Sequence, residues 1–225
     1  MPFALREAYS EDASAMAQVM VAAYQDHPIW KRMMHCVPVP EQIDFVEETL
    51  QERFESSGTF SYTVIEDAYS RVVAWAGLKY PSQDCILDKE RKAETTLPNG
   101  VDETAAKDFF EALSPPLEKY GYNPKEHGEW RGLVVHPAYQ RRGLGGQLAA
   151  HRNDIAKRAG FDVYGVARAT SRGLFIHHGA VVLGTYSVDM QKYNGSCPAH
   201  GQVYVMRQGP NVENCQETAI AKGED

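Results

Sequence analysis

Residues 133–148, LVVHPAYQRRGLGGQL, constrain this chain more than any other stretch. An apolar, β-favouring run meets His136 and Pro137. Two arginines follow, and then Gly143, Gly145 and Gly146 precede an apolar, helix-like segment. The order reads strand, turn, helix. Glycine lacks a Cβ, so the backbone can bend sharply there and another group can approach it closely. A helix that starts at such a turn presents amide N–H groups with no intrahelical partner, at the positive end of its dipole. That combination suits an anion, above all phosphate or pyrophosphate, with Arg141 and Arg142 adding charge at the rim. A glycine-rich turn with no ligand uses the same residues.

Two familiar phosphate loops do not fit. A Walker A loop ends in Gly-Lys-Ser/Thr, which is absent. The dinucleotide fingerprint needs a third glycine where this chain has Leu148.

The rest of the chain reads as a mixed fold. Residues 3–6 form a short strand. A helix follows with Ala13, Met16, Ala17, Met20 and Tyr24 on one face, capped by Ser10. His27 and Pro28 end it. Further helices are predicted over 29–35 and, after Pro38 and Pro40, over 41–55. Two β-rich runs flank a polar turn at 67–70 and read as a hairpin. Residues 82–128 are polar and proline-marked, with helices near 102–113 and 115–121. They form either a substrate-facing element or a solvated excursion. Strand 130–135, helix 145–159 stopped by Gly160, strand 162–169 and a short helix at 171–178 follow. A last strand pair, 180–190 and 202–208, closes the pattern, and the chain after 208 is polar.

Composition narrows the classes. The 225 residues allow one domain, at most two. A net charge of -7 argues against general binding to nucleic acid or to an anionic membrane. No apolar run is long enough to span a bilayer, and the N-terminus has no signal-peptide core. Cys36, Cys85, Cys197 and Cys215 are dispersed, with no CxxC pair, which fits free thiols in a reducing cytoplasm and no metal site.

The pattern Trp130-x-x-Leu133-x-Val135-x-Pro137, then Gln140-x-x-Gly143-x-Gly145, resembles the acetyl-CoA signature of the GNAT N-acetyltransferase superfamily. LREAYSEDA, WAGLKYP and ARATSRGLFIHHGAVVLGTYSVDM are similar to further parts of it. VAAYQDHPIW and the A-T-x-x-G element look most like fungal-type, small-molecule members. The resemblance implies an α/β (α+β) GNAT fold. Its sheet is mixed and mostly antiparallel, splayed at the acetyl-CoA site, with helices on both faces. It implies one domain over 1–210 with an insertion at about 82–128, and a flexible tail at 211–225.

The same resemblance implies chemistry. Main-chain amides of Arg141, Arg142, Gly143, Leu144, Gly145 and Gly146 hold the CoA pyrophosphate. Leu133, Val134 and Val135 pair with the pantetheine arm, and an N–H near Val134 or Val135 polarises the thioester carbonyl. Glu129 matches a catalytic glutamate that takes the amine's proton, or is a plain strand-end glutamate. The tyrosine that protonates the leaving thiolate is replaced by Phe175, which has no proton to give. Ser171, His177 and His178 are nearby substitutes, alongside water. His136 reads as positional. Trp30, Trp75 and Tyr80 line an acceptor pocket or belong to the core, and Asp26 and His27 border the acceptor. The expected activity is direct acetyl transfer from acetyl-CoA to a small-molecule amine by a monomer or homodimer. A CoA-binding protein with decayed catalysis and an O-acyltransferase are the alternatives.

Overall fold

The described residues form seven strands, all but the first carrying β-branched or aromatic residues: β1 (Ala4–Glu7), β2 (Phe60–Glu66), β3 (Val72–Lys79), β4 (Gly128–Val135), β5 (Val163–Arg168), β6 (Val181–Ser187) and β7 (Gln202–Gln208). The structure is a computed structural model that describes residues 2–56, 58–82, 96–193 and 201–210. The strands form one sheet in the order β1-β2-β3-β4-β5-β7-β6. Every neighbouring pair is antiparallel except β4 with β5. The mixed, mostly antiparallel sheet is the one expected.

Six α-helices lie among the described residues: α1 (Ala13–Tyr24), α2 (Pro28–Met33), α3 (Val39–Glu55), α4 (Glu103–Leu113), α5 (Leu144–Ala159) and α6 (Ala169–His177). They cover both faces of the sheet. Buried residues of α1, α2, α3 and α4 share one cluster with Tyr62, Val64, Trp75 and Val134. On the other face, α5 and α6 pack on Leu78, Trp130, Val163, Ala74 and Ala76. None of the described helices is long and apolar enough to cross a membrane.

Several expectations shift. Ser10 does not cap α1; it opens a 3-10 turn, Ser10–Asp12, and Asp12 accepts the Tyr9 amide at 2.9 Å. Helix α3 starts at Val39 rather than 41, because proline is tolerated in a first turn, where its missing N–H costs nothing. The helix expected at 115–121 is a 3-10 turn, Leu117–Tyr120, ended by Gly121 at φ 86°. The described part of the 82–128 segment, residues 96–128, is not a solvated excursion. Phe109 of α4 is 2% exposed and meets Trp30 at 5.4 Å and Tyr24 and His27 edge-on. Residues 83–95 lie outside the described residues, as do the tail 211–225 and Cys85, Cys197 and Cys215. Cys36 carries a free, exposed thiol.

One irregularity shapes the site. Ala76 pairs with Leu133 and Leu78 with Trp130, so Gly77 faces both Arg131 and Gly132 across a bulge. Gly132 has φ 98°, and a Cβ there would meet the Trp75 ring at 2.6 Å. Only glycine fits both the dihedral and the contact.

Candidate active site

Strands β4 and β5 share two rungs, Gly128–Val163 and Glu129–Tyr164, and then part. β5 goes on pairing with β7 to Arg168, while β4 goes on pairing with β3 to Val135. The sheet is therefore splayed, and a wedge opens beside residues 130–135. Its apex is plugged by Trp130, whose side chain lies where a Cβ on Gly165 would stand, 2.7 Å away.

The register fixes which backbone groups face the wedge. The His136 amide donates to the Val73 carbonyl at 2.9 Å. Antiparallel rungs alternate, so Trp75–Val134 is again a hydrogen-bonded rung and the rungs at Leu133 and Val135 are not. Leu133 and Val135 thus turn their N–H and C=O groups away from β3 and toward the wedge. Val134 does not. Its N–H is committed to β3 and its side chain to the α1 face, which corrects its assignment as an edge residue. The Val135 carbonyl is met by the Gln140 side chain at 3.1 Å.

After β4 the chain makes the turn expected of it. His136 is positional: its Nδ1 accepts the Ala138 amide at 3.2 Å. Arg141 and Gly143 take left-handed φ values of 63° and 82°. Gly143 is the N-cap of α5 and offers no side chain, so the first-turn amides of Leu144, Gly145 and Gly146 carry no side-chain cap. A Cβ on Gly143 would meet nothing within 4 Å. Gly145 and Gly146 differ. A Cβ on either would make ordinary contact, with Leu174 at 3.4 Å and His178 at 3.5 Å, so neither is required by space. Arg141 and Arg142 are exposed, and Arg142 also lies over the Tyr139 ring at 5.2 Å.

The turn is braced from the β2–β3 hairpin. The Tyr139 hydroxyl donates to Asp67 at 2.9 Å and accepts from Arg71. Arg71, the Tyr69 amide and Tyr139 together hold the Asp67 carboxyl well below its usual range.

Glu129 lies at the last shared rung, 8% exposed. Trp130 points to the α5 face, so Glu129 and Arg131 point to the other. Arg131 pairs with the Glu129 carboxylate at 2.9 Å, and Lys79 is its cross-strand neighbour. A carboxylate at the closed end of the wedge can accept a proton from a nucleophile arriving on the α1 face.

On the opposite face Phe175 stacks on Trp130 at 4.5 Å. Ser171 donates to the Arg168 carbonyl at 3.2 Å, at the start of α6. His177 is exposed and its ring rests against His178. Burial, helped by His177, lowers the His178 pKa. Trp30 and Trp75 are core residues, each 2% exposed, and Trp75 donates to the Met16 carbonyl. Tyr80 packs on Phe161, His27 caps α2, and Asp26 is exposed.

Sequence reasoning missed Arg152. It is 3% exposed, with its guanidinium 4.6 Å from the Trp130 ring and 5.5 Å from Phe175. The one hint is weak: Leu148, Arg152 and Ala156 fall on one helical stripe, but an arginine there ordinarily reads as solvated. Among the described residues no group of His, Cys, Asp or Glu gathers as metal ligands would.

The description "Acetyltransferase (GNAT) family" belongs to a family model that matches residues 27–179. No curated protein matches the chain. Solved structures with the same fold include arylalkylamine N-acetyltransferase 2 from Aedes aegypti, at TM-score 0.65 and 15% identity over 93% of this chain and 99% of that one. A mosquito arylalkylamine N-acetyltransferase like 5b gives 0.59 and 19% over 92% and 99%. A histone acetyltransferase HPA2 and related acetyltransferase from Corynebacterium glutamicum gives 0.59 and 17% over 93% and 97%.

Proposed function

Because the chain belongs to the acetyltransferase (GNAT) family, we propose that it moves an acetyl group from acetyl-CoA to the primary amine of a small molecule, by direct transfer. One observation carries the reading: an uncapped helix start stands at the end of a strand whose edge is open.

The residues present suit that donor. The amides of Leu144, Gly145 and Gly146 supply positive dipole ends for a diphosphate, and the bare Gly143 leaves room for it. Arg141 and Arg142 add charge from the turn. Leu133 and Val135 offer N–H and C=O groups to the amides of a pantetheine arm, as an added strand would. One of their N–H groups polarises the thioester carbonyl. When bound, the donor supplies an activated acyl carbon.

The acceptor must be neutral to attack. An alkyl amine has a pKa of about 10, so it arrives protonated. Glu129, directly or through a water, takes that proton on the α1 face. No covalent acyl-enzyme is needed.

Thiol release from acetyl-CoA tests the reading, against amines that include arylalkylamines, the class named for two structural neighbours. Amine-dependent release is the expected result. Phe175 favours a second reading, a CoA-binding protein without turnover. Intact CoA binding with no release across the panel would establish that reading and overturn the first.

A further inference from the structure

Among the described residues the Arg152 guanidinium is a buried cation with no anion. Its Nη1 reaches the Gly132 carbonyl at 3.4 Å, a long contact, while Nε and Nη2 have no hydrogen-bond partner. Among the described residues no carboxylate pairs with it. Arginine is almost never fully buried unless paired, and an uncompensated buried charge is strongly unfavourable. Contacts with Trp130 and Phe175 offset part of that cost. They also locate the charge. Trp130 plugs the apex of the wedge, and Gly132 directly precedes Leu133, whose backbone faces it.

We propose that Arg152 stabilises the CoA thiolate as it departs at the apex of the wedge. The inference rests on the donor assignment made above. The acceptor nitrogen bonds the acyl carbon while the carbon–sulfur bond breaks. Glu129, having passed the ammonium's proton on to solvent, takes the second proton that the nitrogen sheds as the amide forms, and the electron pair leaves on sulfur. The departing thiolate is later protonated from solvent. A fixed cation beside that sulfur lowers the barrier without giving up a proton, so Phe175 is no defect: it is one of the two rings that hold the guanidinium. Burial pulls the Arg152 pKa down to about 9, which leaves it charged at neutral pH. Low local polarity strengthens its pull on a nearby negative charge.

The test is a titration of the thiol of CoA bound to the wild-type chain, read by the ultraviolet absorbance of the thiolate. An ordinary thiol titrates near 8.5, and a cation within contact range lowers that by about 1–3 units. The bound thiol is expected in that lowered range, and Arg152→Met is expected to return it toward the free value. Arg152→Met should also cost about 100-fold in kcat with CoA affinity held within a fewfold. Adding Phe175→Tyr to it should recover part of the loss by restoring a proton donor, a rescue that a merely structural arginine would not allow. If Arg152→Met does not fold, the wild-type titration decides alone. A bound thiol that titrates at or above the free value overturns the proposal. Failure of CoA to bind at all would overturn the donor assignment, and this role with it.

Discussion

Glu129 is the residue on which turnover depends in this reading, and it is not a free carboxylate. Arg131 holds it at 2.9 Å and Lys79 stands across the ladder. Glu129→Gln keeps the shape and removes the proton acceptor. Turnover is expected to fall by about 10²–10⁴-fold while CoA affinity measured by calorimetry stays unchanged. An unaltered rate would return Glu129 to the role of a structural ion-pair partner. The placing of Glu129 near the start of a strand and of the glycines at a strand-to-helix turn was legible, because spacing within a motif is a one-dimensional property. Arg152 was not, since a charged residue on a helix ordinarily reads as solvated. Its burial comes from Trp130 and Phe175, which lie on two other elements. The commitment of Val134 to β3 was likewise hidden, because rung alternation depends on a partner strand.

At the scale of elements, the strand–turn–helix unit is pinned to the β2–β3 hairpin through Tyr139 and Asp67. Asp67 is held low by Arg71 first, with the Tyr69 amide and Tyr139 adding to it. Asp12, bonded by Arg6 on β1, is held low too. A carboxyl whose folded pKa is depressed contributes stability that is complete above its unfolded value, about 3.9. That contribution is lost as pH falls through the folded value. Thermal melts are therefore expected to drop as pH falls from about 5 toward 2. Asp67→Asn is expected to melt lower at neutral pH and to lose less on acidification. An identical slope in the variant would remove Asp67 from the brace. The hairpin, the six-strand alternation after the first helices and α5 were legible from periodicity and from Gly160. The packing of 96–128 was not, because the apolar face of α4 gains its meaning only against Trp30 and Tyr24.

Across the whole molecule, the parting of β4 from β5 after two rungs brings an open strand edge, an uncapped helix start and a buried carboxylate to one wedge. The splay was expected from family resemblance; composition and local pattern alone carry no sign of where a parallel pair ends. What the wedge receives is the central claim. The most direct measurement is a calorimetric titration of CoA into the wild-type chain and into Gly143→Glu, with melting curves to confirm that both are folded. Saturable binding to the wild type and its loss in the variant is the expected result, because the new carboxylate would occupy the place of the diphosphate. Equal affinity in the two, or no heat with either, would contradict the claim.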